Sequence, residues 1–144
     1  ICMEFWNGWF DQWRTPHHTR EPQTIIDEFK SIIKADGHFN MYMFSGGTNF
    51  GFYNGSNCNP TFEPCITSYD YGAPVTECGD VTEQYYMLRK LLTGKTDKMP
   101  ERIKRAYGKV TEFKGASLFD NLDIIGKTHI SENAMTMEDL GQNF

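Results

Sequence analysis

The chain has 144 residues, 39% of them hydrophobic and 15% aromatic, a composition that supplies a buried core and argues against a disordered segment. Its net charge of −5 leaves no basic footprint for nucleic acid. No apolar run approaches the roughly 20 residues of a membrane-spanning helix.

The chain begins on Ile1 without a basic or apolar targeting segment, and both ends read as cut from a longer polypeptide. Residues 1–5 read as the end of a strand, with Glu4 among Trp6, Trp9, Phe10 and Trp13. A carboxylate walled by indoles suits a sugar, because rings stack on the apolar face of a pyranose while the carboxylate attacks or accepts hydrogen bonds. A loop runs on through Thr19, and Pro22 then opens a helix, where its missing N–H costs nothing. Ile25, Ile26, Phe29, Ile32 and Ile33 recur at helical spacing, Asp27, Glu28, Lys30 and Lys34 take the other face, and Gly37 is placed to cap the end.

His38 to Phe44 reads as a second strand, with Phe39, Met41 and Met43 on one face and Asn40, Tyr42 and Phe44 on the other. A strand covered on both faces belongs to a parallel sheet backed by helices. Residues 45–79 read as one long loop rich in Gly, Asn, Pro and Tyr, of a length that is usually functional. Asp80 with Glu83 resembles a capping box, after which Val81, Tyr85, Leu88 and Leu92 form a stripe ending at Gly94. The alternation of strand and helix indicates an α/β fold. From Lys95 onward the composition turns to Lys, Glu, Gly and Asp, with brief strands expected at Lys109–Phe113 and Ser117–Phe119.

Several patterns carry less. Cys2, Cys58, Cys65 and Cys78 lack C-x-x-C spacing; Cys58 and Cys65 flank one loop, which allows a bridge in an oxidising compartment, but a lone pair of this kind is more often free thiol, and the residues leave the pairing open. Adjacent His17 and His18 are expected to point apart, and no metal site is expected. Asn54-Gly55-Ser56 fits a glycosylation sequon. Gly94-Lys95-Thr96 and Gly126-Lys127-Thr128 mimic the end of a phosphate-binding loop, but Arg89 and Asn121 occupy the required earlier glycine.

Three stretches occur in fixed order: Met3-Glu4-Phe5-Trp6 within residues 1–13, Asn40-Met41-Tyr42-Met43-Phe44, and Ser68-Tyr69-Asp70-Tyr71. Further matches follow at Ala73-Pro74, Gly79-Asp80, Ser117-Leu118-Phe119-Asp120 and Leu140-Gly141-Gln142-Asn143. Together they resemble the β-galactosidases of glycoside hydrolase family 35. The resemblance implies that residues 1–94 are the last two βα units of a TIM (β/α)8 barrel, and that 95–144 form a connector and the start of a β-rich domain. It further implies a retaining exo-β-galactosidase acting on terminal β-linked galactose, with no cofactor and no metal. Glu4 would be the nucleophile, Tyr42 a phenol donating to its carboxylate, and Tyr71 and Trp9 contacts to the sugar, with Trp6 and Trp13 as packing. Two departures stand out. Relatives mostly carry Asp where this chain has Gly72, and the family's acid/base Glu belongs to an Asn-Glu pair that occurs nowhere in these residues. The polypeptide alone is therefore expected to be inactive and prone to aggregate. A non-catalytic carbohydrate-binding relative is the alternative reading.

Overall fold

The computed structural model describes residues 1–141; Gln142 and Asn143, which complete the last stretch shared with the family, lie outside the described residues. The chain divides into two compact units, Ile1–Arg102 and a second beginning at Ile103. The first is a mixed α/β arrangement built on a βαβ element. Strand β1 (Cys2–Trp6) leads through a loop to helix α1 (Pro22–Lys34), which returns the chain to strand β2 (Phe39–Tyr42). The two strands pair in parallel, Cys2 with Phe39, Phe5 with Met41 and Trp6 with Tyr42. Two residues of β1, Met3 and Glu4, thus stand opposite the single Asn40. Such a bulge bends a strand and re-aims its side chains. The Asn40 amide donates to the Met3 carbonyl at 3.1 Å, pairing a backbone oxygen at the irregular register.

Pro22 occupies the first turn of α1, and the apolar stripe does what its spacing predicts. Ile25, Ile26 and Phe29 are buried against Phe5 of β1, Phe39 and Met41 of β2, and Leu88. The Phe29 ring lies 4.1 Å from that of Phe5 and 4.5 Å from that of Phe39. Ile33 departs from the stripe and is exposed. The helix is capped at Ala35 rather than at Gly37, with Asp36 taking a positive φ of 52°. Gly37 serves a close approach instead, since a Cβ there would come within 2.9 Å of the Ile32 Cγ2.

The strand expected over His38–Phe44 stops at Tyr42, and the alternation stops with it. Met43 packs on the same side as Tyr42, whereas Phe44 turns to Tyr85, 6.2 Å between rings. Past the last strand pair, Trp6 with Tyr42, no ladder holds a period of two.

Residues 45–79 are not a structureless loop. They carry an antiparallel hairpin of β3 (Ser56–Cys58) and β4 (Phe62–Pro64), and isolated bridges link Gln12 to Cys65 and Thr48 to Ser68. Cys65 lies three positions beyond Phe62, the partner of Cys58, a span of about 10 Å along a strand. That exceeds the roughly 7 Å a disulfide bridges, and all four cysteines are free thiols.

Helix α2 (Glu83–Thr93) is capped by Thr82, whose hydroxyl accepts from the Tyr85 N–H at 3.3 Å, and not by Asp80. Gly94 closes it in the left-handed conformation, φ 71°, as its position predicts. Leu88 is buried, while Leu92 is half exposed and Val81 lies before the helix, bridging Val75.

The second unit holds no strand among its described residues. Over 109–113 there is no regular structure, and Phe119–Asn121 form a 3₁₀ turn leading into a single-turn helix α3 (Leu122–Ile125). Ile103, Tyr107, Phe113 and Ile130 are almost fully exposed. With no apolar layer to pack on, short apolar pieces do not hold a sheet together.

Candidate active site

At the C-terminal ends of the two parallel strands lies a cleft of about 180 Å³. Strand β1 contributes Glu4 and Trp6, which alternate with the buried Phe5 and so share the face opposite the core. The following loop contributes Trp9 and Phe10, and β2 contributes Tyr42. The hairpin adds Asn57, and the Ser68–Tyr71 motif adds Tyr69 and Tyr71. The four residues singled out in the sequence, Glu4, Trp9, Tyr42 and Tyr71, therefore meet in one place.

The Glu4 carboxylate is exposed and accepts a hydrogen bond from the Trp6 indole N–H at 2.9 Å. Trp6 is thus part of the cleft and not packing, and Trp13 is 66% exposed and also not packing. The Trp6 ring meets Trp9 edge-on at 5.2 Å. The Tyr42 hydroxyl lies 3.2 Å from that of Tyr69, so the phenol expected to address the carboxylate is engaged with a second phenol. The Tyr42 ring lies 5.4 Å from Tyr71 in an edge-to-face contact. Tyr69 stacks on Tyr71 at 5.5 Å and on Phe10 at 6.0 Å.

Tyr71 is 3% exposed and held at a positive φ of 63°, a backbone state that side-chain-bearing residues seldom adopt. Burial first, then the neighbouring Tyr42 and the negative charge of Glu4, push its hydroxyl up to about 12. Tyr69 is raised as well, by burial and by its hydrogen bond to Tyr42. Both phenols therefore keep their protons at neutral pH. Tyr71 thus lines the cleft as a neutral phenol with the Glu4 carboxylate in the same wall, while the Tyr69 hydroxyl is engaged with that of Tyr42, a polar set that matches sugar hydroxyls.

Tyr69, Trp6 and Asn57 were missed as site residues in the sequence. Tyr69 stands two residues from Tyr71, and Trp6 two from Glu4, so period-two spacing was the available signal in both. For Asn57 none existed, because a hairpin delivers it from the far side of a long connection.

Two other polar groupings lie outside this cleft. Asp11 accepts from the His18 backbone N–H at 2.8 Å, and its carboxylate meets His17 Nδ1 at 2.5 Å and His18 Nδ1 at 3.1 Å. The adjacent histidines therefore converge on one carboxylate and do not point apart. Burial works to raise the Asp11 carboxyl, but the His18 amide and the two rings outweigh it and hold it below the ordinary range. A larger open hollow of about 600 Å³ is lined by Thr48, Asp70, Glu77 and Cys78 among others. It has no aromatic wall, and size alone does not make it the better candidate. Among the described residues no group of His, Cys, Asp or Glu is arranged to hold a metal ion.

The sequence profile described as glycosyl hydrolases family 35 matches residues 1–95. Human beta-galactosidase-1-like protein 2 is 38% identical over 151 aligned positions, covering 99% of this chain and 23% of the relative. Human beta-galactosidase is 41% identical over 131 positions, covering 87% of this chain and 19% of the relative. Mouse beta-galactosidase-1-like protein 3 is 38% identical over 148 positions, covering 99% and 23%. The chain thus spans about a fifth of the length of these curated relatives.

Proposed function

The chain belongs to glycosyl hydrolases family 35, and from that premise we propose that the protein carrying it is a retaining exo-β-galactosidase with Glu4 as its nucleophile. The observation that supports this reading most is the cleft in which Glu4 shares its walls with Trp6, Trp9, Tyr42, Tyr69 and Tyr71. In this reading β1 and β2 are the seventh and eighth strands of a (β/α)8 barrel, whose active site lies at the strands' C-terminal ends. Residues 95–144 then lead away from the barrel toward a β-rich domain.

Retaining glycosidases work with two carboxyl groups about 5 Å apart. Glu4 attacks the anomeric carbon while an acid protonates the departing oxygen, giving a covalent galactosyl–Glu4 ester. Water then attacks the same carbon, releases β-galactose and restores both groups. The acid/base is assigned to the family's Asn-Glu pair on an earlier strand, so this polypeptide alone is inactive. Trp9 stacks on the sugar face, and Tyr71, protonated at neutral pH, donates to a galactose hydroxyl. Tyr42 orders this wall through Tyr69. No cofactor or metal enters these steps.

The test is made on the full-length protein with an aryl β-galactoside. The first-formed sugar is expected to be the β-anomer by proton NMR, and Glu4→Gln is expected to lower kcat by about 10³-fold or more. An α-anomer product would refute retention. Galactoside binding without turnover would favour the carbohydrate-binding alternative.

A further inference from the structure

We infer that Trp6 is a positioning residue that holds the Glu4 carboxylate through its indole N–H, a role that rests on Glu4 being the nucleophile. The hydrogen bond from Trp6 Nε1 to Glu4 Oε2 is 2.9 Å long and joins residues two apart on one strand. Side chains at that spacing leave the same face of a strand, so strand geometry itself brings the donor to the acceptor. Glu4 is the second residue of the bulge, and the regular register resumes at Phe5 and Trp6.

The donor is itself held from two directions. The Trp6 ring is braced by the edge of Trp9 at 5.2 Å. The Trp6 carbonyl accepts from Arg20 Nη1 at 2.7 Å, while Arg20 Nη2 donates to Glu28 of α1 at 2.6 Å. Helix α1 thus fixes the backbone of Trp6, and Trp9 fixes its ring. Two further cleft hydroxyls are engaged with each other, those of Tyr42 and Tyr69 at 3.2 Å, whereas the Trp6 indole N–H is the donor that meets Glu4. A nucleophile needs one carboxylate oxygen aimed at the anomeric carbon. A donor on the other oxygen restricts rotation of the group and leaves the first free.

The experiment is kinetic, on the full-length protein. Trp6→Phe keeps an aromatic wall and removes the N–H, whereas Trp6→His restores a ring N–H at a similar reach. For Trp6→Phe we expect kcat to fall about ten- to a hundred-fold, the worth of a hydrogen bond to a charged acceptor. Inhibition by free galactose and the melting midpoint are expected to stay unchanged. Trp6→His is expected to recover most of the loss. Unchanged kcat in Trp6→Phe would overturn the proposal, as would a His variant no better than Phe. A rise in KM and in the galactose inhibition constant with kcat intact would also overturn it, making Trp6 only a wall of the sugar pocket. In the unsubstituted protein, a 2-deoxy-2-fluoro-galactosyl label on a residue other than Glu4 would sink the nucleophile reading and this inference together. A label on Glu4 with unchanged kcat in Trp6→Phe sinks this inference alone.

Discussion

A Cβ built on Gly8 would overlap the Tyr71 carbonyl oxygen, and one built on Gly46 would overlap that of Tyr69. These two glycines let the loops after β1 and β2 clamp the backbone of the tyrosine motif from both sides. Gly8→Ala or Gly46→Ala is expected to destabilise the full-length protein by about 1–3 kcal/mol or more and to displace the tyrosines with it. Gly72 makes the contrast: the nearest atom to its Cβ is 3.8 Å away, but its φ is 62°. Ala there costs about 1–2 kcal/mol by conformation alone, while Asp tolerates this region. An Asp at this position, which the family resemblance leads one to expect, would suit the same backbone state as Gly72. Urea unfolding midpoints of the four variants check the order; Gly8→Ala as stable as Gly72→Asp would contradict it.

Tyr71 also makes a prediction in pH. Its folded value is raised to about 12 by burial, Tyr42 and Glu4, whereas an unfolded tyrosine ionises near 10. As pH rises past about 10 the unfolded chain releases this proton first, so stability is whole below that pH and falls between about 10 and 12. Tyr71→Phe removes this contribution, and its unfolding midpoint should drop less over that window than that of the unsubstituted protein. Equal drops would mean that Tyr71 is not shielded.

Among the elements, α1 was the most legible, because Pro22 and the Ile25, Ile26 and Phe29 stripe are local signals that tertiary packing then uses. Phe29, fully buried between Phe5 and Phe39, carries the joint between this helix and both strands. Phe29→Ala is expected to cost about 3–5 kcal/mol, read as a lowered denaturation midpoint in the full-length protein. A cost under about 1 kcal/mol would show that the stripe is not core. The hairpin of β3 and β4 was not legible. Its strands have three residues each, too few for alternation to show. Pro22 and Gly94 were read correctly, but the end of α1 and the start of α2 were each misplaced by two positions. Asp80 and Thr82 are both capping types, and only the fold decides which one faces the Tyr85 N–H.

At the scale of the whole molecule, the first unit packs its apolar groups in two clusters, one around Phe29 and one around Phe10, Cys65 and Tyr71. The second cluster is also the wall of the cleft, so packing and recognition share the same rings. In the sequence only Trp9, Tyr42 and Tyr71 of this cluster were picked out together, through the family resemblance, because its members come from four separated stretches that no periodicity links. The residues from 103 to 141, by contrast, bury almost nothing, and the strands expected there did not form.

The most direct measurement is to inactivate the full-length protein with a 2-deoxy-2-fluoro-β-galactosyl reagent and to map the modified peptide by mass spectrometry. A single galactosyl ester on Glu4 is expected, slow to turn over and absent from Glu4→Gln. A label on any other carboxylate, or none in a folded protein that still cleaves β-galactosides, would contradict it.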